Sequence, residues 1–141
     1  SVCTLNGFKT AKEALKIAQI NQLRIAFGLA DFNLINSNLS EITWVLNQGV
    51  DLLVGNENEI EALRKAIKIE TDTLCSLGPK GAKFNEINVL AKKVSVVNTN
   101  GAGDALLGIF LSYFDDSDPE TSLKLAVNYA TEVCLVGGPR I

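Results

Sequence analysis

Hydrophobic positions along the chain switch repeatedly between a helical and a strand spacing. Ala11, Ala14, Leu15 and Ala18 recur at i, i+3, i+4 and i+7, which predicts a helix over Lys9–Asn21. The run Arg24–Ala30 reads as a short buried strand, and the polar stretch Asp31–Ser37 as a loop. Asn38 with Glu41 has the form of a capping box, and Ile42, Val45 and Leu46 make the buried stripe behind it. Gly49 stops that helix, and Val50–Val54 predicts a second strand. Beyond Gly55-Asn56 a further helix turns Ile60, Leu63 and Ile67 inward. Thr71–Leu77 is a third strand, closed by Gly78-Pro79-Lys80-Gly81. Short strands are expected around Ala82–Phe84 and Ile87–Leu90, and a clearer one at Val94–Val97. After the break at Asn98–Gly101, a helix carries Leu106, Ile109, Phe110 and Tyr113 inward. Asp118-Pro119 pairs an N-cap with a first-turn proline. The helix it opens buries Leu123, Ala126, Val127, Ala130 and Cys134 and stops near Gly137-Gly138-Pro139.

Single helices between successive strands imply βαβ units. The expected class is therefore α/β: a Rossmann-like, mostly parallel sheet with helices on both faces. Ligands of such sheets collect beyond the carboxyl ends of the strands. That rule directs attention to the loops at Asp31–Asn33, Gly55–Glu59, Ser76–Gly81 and Asn98–Asp104.

Composition narrows the chemistry. With 141 residues the chain suits one domain with a real core, and 47% apolar against 21% charged residues indicates neither disorder nor a fibre. The net charge is −3 without a basic run, which argues against nucleic acid or an anionic membrane as partner. The longest apolar stretch falls far short of the ~20 residues that span a bilayer, and the start SVCTLNGFKT has no signal-type apolar core. A soluble, cytoplasmic domain is expected. The chain has no histidine, which removes Ser–His and Cys–His catalysis and ordinary zinc sites. Cys3, Cys75 and Cys134 are scattered and odd in number, as buried free thiols would be in a reducing compartment. Catalysis is left to carboxylates, amides, backbone dipoles, lysines or a bound metal. The absence of Met, including at the first position, suggests a fragment.

The sharpest local feature is Val96-Val97-Asn98-Thr99-Asn100-Gly101-Ala102-Gly103-Asp104, an apolar strand running through Gly-Ala-Gly into an amphipathic helix. Small residues there leave the helix's first amides bare, and with the macrodipole they attract an anion, most often phosphate. Asp104 follows in the first turn, where a carboxylate can take the proton of a hydroxyl attacking phosphorus. Close packing and helix capping would select the same residues. Asn56-Glu57-Asn58-Glu59 gathers oxygens suited to a hydrated Mg²⁺, or else an N-cap with dipole-favouring acids. Ser76-Leu77-Gly78-Pro79-Lys80-Gly81 offers a hydroxyl and amides to a nucleotide, or is an ordinary hairpin turn. Three such loops at one edge of one sheet carry more weight than any alone.

This order of loops resembles the C-terminal half of the ribokinase-like (PfkB) carbohydrate and nucleoside kinases, from about Ile25 onward. Asp31-Phe32-Asn33 is similar to the family's D-P-N strand end, Asn56–Glu59 to N-x-x-E, and Ser76–Gly81 to T-L-G-x-x-G with Ser for Thr. Asn98–Asp104 resembles the signature D-T-x-G-A-G-D. The resemblance implies an ATP-dependent phosphotransferase acting on a hydroxymethyl group of a sugar or nucleoside. Asp104 would be its catalytic base, and the amides of Gly101, Ala102 and Gly103 its anion hole. Asn56 and Glu59 would order Mg²⁺, in part through water. Ser76, Gly78 and Gly81 would line the ATP site, with the last helix around Asn128 walling the adenine. Residues 1–141 would then be the C-terminal nucleotide-binding part of the kinase domain. The N-terminal substrate and lid part, through which relatives often form homodimers, would be absent. Asn98 replaces the family's leading Asp, which helps build a monovalent-cation site in many relatives, so the resemblance leaves potassium activation open. A non-catalytic nucleotide-binding or regulatory domain derived from such a kinase is the alternative.

Overall fold

A computed structural model of the chain describes residues 5–29, 31–95 and 98–135. Its contacts divide into two compact units, residues 1–73 and 74–141.

The first unit holds α1 (Leu5–Ile20), β1 (Ala26–Gly28), α2 (Phe32–Ile35), α3 (Leu39–Leu46), β2 (Leu52–Asn56) and α4 (Glu57–Ala66). β1 and β2 run parallel with Ala26 opposite Leu52 and Gly28 opposite Val54. Asp51 sets that register, since one of its carboxylate oxygens accepts the Ile25 amide at 2.6 Å while its own amide donates to the Ile25 carbonyl at 2.9 Å. Ile35, Ile42, Val45, Leu53 and Leu63 are almost fully buried. Leu15, Val45 and Val50 form one cluster, against which Phe8 and Trp44 pack edge to face at 5.4 Å.

Several expectations shift here. The stretch Asp31–Ser37 is helical rather than a loop: Asp31 caps α2 by accepting the Asn33 amide at 2.9 Å, and a 3₁₀ turn follows at Asn36–Asn38. Ile35, within this stretch, lies in the core. Asn38 and Glu41 form no capping box. The Asn38 side chain donates instead to the Leu34 carbonyl, and Glu41 accepts from Ser40. The second strand begins two residues later than the apolar run suggests, and Ala14 on α1 is exposed.

The second unit takes β3 (Asp72–Ser76) from Leu74 onward, then β4 (Gly81–Phe84), β5 (Ile87–Leu90), α5 (Ala102–Ser112) and α6 (Pro119–Leu135). β3, β4 and β5 form an antiparallel meander, with Ser76 opposite Ala82 and Gly81 opposite Leu90. The parallel pair and this meander together make the fold α/β with mixed strand directions. Phe84, Phe110 and Phe114 stack as a triangle with centroids 5.1–5.5 Å apart, joining β4 to α5. Leu74, Ala82, Leu123 and Ala126 complete this core.

Asp118 caps α6 as anticipated, accepting the Thr121 amide at 3.1 Å ahead of Pro119. The Thr121 hydroxyl, and after it that amide, hold the Asp118 carboxyl below its usual value, and the Ser117 hydroxyl and amide do the same for Asp115. Tyr113, expected to face inward, ends α5 and is 61% exposed. Val94 and Ser95 lie outside any strand, and Val96 and Val97 fall outside the described residues, as do Cys3 and the expected stop at Gly137–Pro139.

Gly81 carries the sharpest steric constraint. Its φ is +119°, and a Cβ there would run into the Val89 carbonyl oxygen and stand 2.7 Å from the Ala91 amide nitrogen. Both the left-handed backbone and the neighbouring strand forbid a side chain. Gly81→Ala is expected to cost about 3 kcal/mol of stability, read as a lowered urea midpoint. An unchanged midpoint would show that the β4–β5 ladder yields easily.

Candidate functional site

The loop ahead of α5 is built by its own polar groups. Asn98 Oδ1 accepts the Asn100 amide at 2.9 Å, an Asx turn that starts the reversal. The Asn98 amide donates to the Cys134 carbonyl at 3.3 Å, fastening the loop to α6. Gly101 then takes φ +80°, the N-cap position of α5, where a residue with a Cβ is strained. Its carbonyl accepts the Ala105 amide at 2.8 Å and begins the helical ladder.

Of the three amides expected to form an anion hole, one is already engaged. Ala102 N–H donates to the Thr99 carbonyl at 3.2 Å. The amides of Gly101 and Gly103 donate to no acceptor among the described residues. Asp104 lies in the first turn with an exposed side chain that accepts no hydrogen bond among those residues.

Beside this loop, wholly within the second unit, lies a pocket of about 640 Å³. That is within the usual range for a small-molecule site. The turn after β3 supplies Ser76, Gly78, Pro79 and Gly81 to its walls, and the segment after β5 supplies Ala91–Val94. Thr99, Ala102, Gly103 and Leu106 form the side nearest α5. Val127, Ala130, Thr131 and Cys134 form the α6 side. The pocket thus gathers Ser76, Gly78, Gly81, Ala102 and Gly103 in one place. Asn128 is not among its walls: it is exposed on α6, and its neighbour Val127 and Thr131 face the space instead. The turn at Ser76–Gly81 joins antiparallel strands, so it is a hairpin connection and a pocket wall at once.

Gly103 differs from Gly81. Its φ is an ordinary helical one, and a Cβ built there would meet nothing within 4 Å. A glycine inside a helix costs roughly 1 kcal/mol relative to alanine. Nothing among the described residues requires that cost, and Gly103 is one of the pocket's wall residues.

The Asn56–Glu59 pair sits in the first unit and forms a capping box. Asn56 Oδ1 accepts the Glu59 amide at 3.0 Å, and Glu59 Oε2 accepts the Asn56 amide at 2.9 Å. Glu59 is only 6% exposed, and the bare Gly55 makes room for its carboxylate, since a Cβ there would come within 3.1 Å of Oε2. Three or more acidic, His or Cys side chains nowhere converge among the described residues. Glu59 is the one carboxylate of this pair, and an oxygen of each side chain is engaged within the box.

The sequence matches the profile of the pfkB family carbohydrate kinases over residues 9–141. The chain belongs to the pfkB family. It is 31% identical to a Mycoplasma pneumoniae protein named as a candidate 1-phosphofructokinase, covering 90% of this chain and 48% of that protein. A 2-dehydro-3-deoxygluconokinase of Thermoproteus tenax is 33% identical over 79% of this chain and 42% of its own length. Among solved structures, adenosine kinase from Sinorhizobium meliloti superposes with a TM-score of 0.79 at 25% identity, covering 96% of this chain and 46% of that one. This pfkB-family chain therefore spans about half the length of the curated relatives it matches.

Several pocket residues carry no motif. Val127, Thr131 and Cys134 follow i, i+4, i+7 on α6, the same period as a core stripe, and part of that stripe lines the cavity instead. Lys92 and Lys93 had no sequence signal at all. For the pair in the first unit, Asn56→Ala removes a cap and leaves a buried carboxylate facing a loosened turn. A loss of about 2 kcal/mol is expected in denaturant unfolding, and Asn56→Asp should recover most of it.

Proposed function

We propose that the chain is the nucleotide-binding part of an ATP-dependent kinase that phosphorylates a hydroxymethyl group on a sugar or nucleoside. The observation that carries this reading is the shared pocket. The turn before α5, whose Gly101 and Gly103 amides meet no acceptor among the described residues, and the Ser76–Gly81 turn flank one nucleotide-sized space. Family membership supports the reaction class.

In this reading the base and ribose of ATP lie between the Ser76–Gly81 turn and α6, against mostly apolar walls with the hydroxyls of Ser76, Thr99 and Thr131. The phosphate chain ends at the N-terminus of α5. There the Gly101 and Gly103 amides and the helix dipole favour the charge that grows on the transferred group. For the Ala102 amide to join them, its bond to the Thr99 carbonyl must open. Asp104, exposed in the same first turn, accepts the proton of the acceptor hydroxyl as its oxygen forms the bond to phosphorus and the bond to the ADP leaving group breaks. Mg²⁺, when bound, would neutralise phosphate charge, and the N-x-x-E resemblance gives Asn56 and Glu59 the role of ordering that ion. Positioning and electrostatics supply the rate enhancement in such transfers.

Two substitutions test separate parts of this. Asp104→Asn should lower kcat by about 10²–10⁴ in an assay against a panel of sugars and nucleosides, while ATP affinity changes little. Turnover at the original rate would remove Asp104 as the base. ATP binding with no turnover of any acceptor by the unaltered protein would favour the regulatory alternative. Gly103→Ala should leave thermal stability equal or slightly raised, because the helix gains a better former with room for its methyl group. ATP affinity by calorimetry should nonetheless fall at least about tenfold, as the methyl blocks approach to the amides. Undiminished affinity would place the phosphates elsewhere.

A further inference from the structure

We propose that Lys92 and Lys93 form a cationic rim that accelerates capture of the nucleotide, a role that rests on the nucleotide reading of the pocket. Both line the cavity, both are exposed, and neither pairs with an acid among the described residues. Among the described residues they are the only charged ones in the walls, which include no Asp or Glu. The chain as a whole carries −3, a field that opposes an approaching polyanion. Two positive charges in the pocket wall oppose that field locally.

Their placement is fixed by backbone rather than by side-chain bonds. The Ala91 amide donates to the Lys80 carbonyl at 3.1 Å, which holds the start of the segment against the β4 edge. From there the two stems are long enough to sweep the opening, and their methylenes can cover apolar wall while the ammonium groups stay in water. Exposed charges of this kind add little to equilibrium affinity because water and salt screen them. Their field still biases the encounter, so the effect belongs in the association rate.

The test is stopped-flow binding of a fluorescent ATP analogue to the full chain, beside the matching adenosine analogue, which has no phosphate. For the double variant Lys92→Gln, Lys93→Gln, the ATP association rate should drop about fivefold to tenfold at low ionic strength and less than about twofold near 0.5 M salt. Dissociation of ATP and both rates for adenosine should stay within about twofold. The Lys92→Arg, Lys93→Arg protein should keep the original rate. An unchanged ATP association rate at low salt overturns the steering role, and so does an equal loss for adenosine, which would mean that the stems act as packing. Failure of the unaltered protein to bind either analogue overturns the nucleotide reading itself, a result distinct from both.

Discussion

The pocket depends on how closely two stretches of backbone approach at Gly81. The residue's positive φ and the absence of a side chain let the start of β4 lie directly against the Val89 carbonyl and the Ala91 amide. Two further main-chain bonds lock the contact: Leu77 donates to the Gly81 carbonyl at 2.8 Å, and Ala91 to the Lys80 carbonyl at 3.1 Å. The first shapes the Ser76–Gly81 wall, and the second fixes where the Ala91–Val94 wall begins. Main-chain bonds of this kind do not depend on side-chain identity, so many of the lining residues are free to vary in chemistry while the cavity keeps its form.

The glycines of the chain divide by what demands them. Gly81 and Gly101 answer to conformation, one through a neighbouring strand and a positive φ, the other through a left-handed helix cap. Gly103 answers to neither, having an ordinary helical backbone and empty space where a methyl would sit. The distinction is invisible in the string Gly-Ala-Gly-Asp, because both kinds are written with the same letter. It emerges only when the surroundings of each Cα are known.

Elements with a strong period were legible in the sequence, and those governed by local polar bonding were not. Ile42 and Val45, Ile60 and Leu63, and Leu123, Ala126 and Val127 occupy the buried faces that their spacing indicates. Asp31–Ser37 looked like a loop because its residues are polar, yet the Asp31 carboxylate supplies a cap that makes helix the better outcome. Asn38–Glu41 and Asn56–Glu59 share the N-x-x-E pattern, but of these only Asn56–Glu59 closes into a box. Asn38 spends its side chain on the preceding turn. The site followed the same rule. Glycine-bearing turns announced two walls of the pocket, whereas α6 contributes through Val127, Thr131 and Cys134, residues that any packing stripe could contain. Asn128, the polar residue that drew attention on that helix, is exposed and is not among the cavity's walls.

The bond from the Asn98 amide to the Cys134 carbonyl ties the loop before α5 to the final turns of α6. This acceptor lies in the last described turn of α6. The order of the glycine turn is thus hostage to a distant helix: whatever shifts or unwinds that part of α6 retunes the loop without touching it.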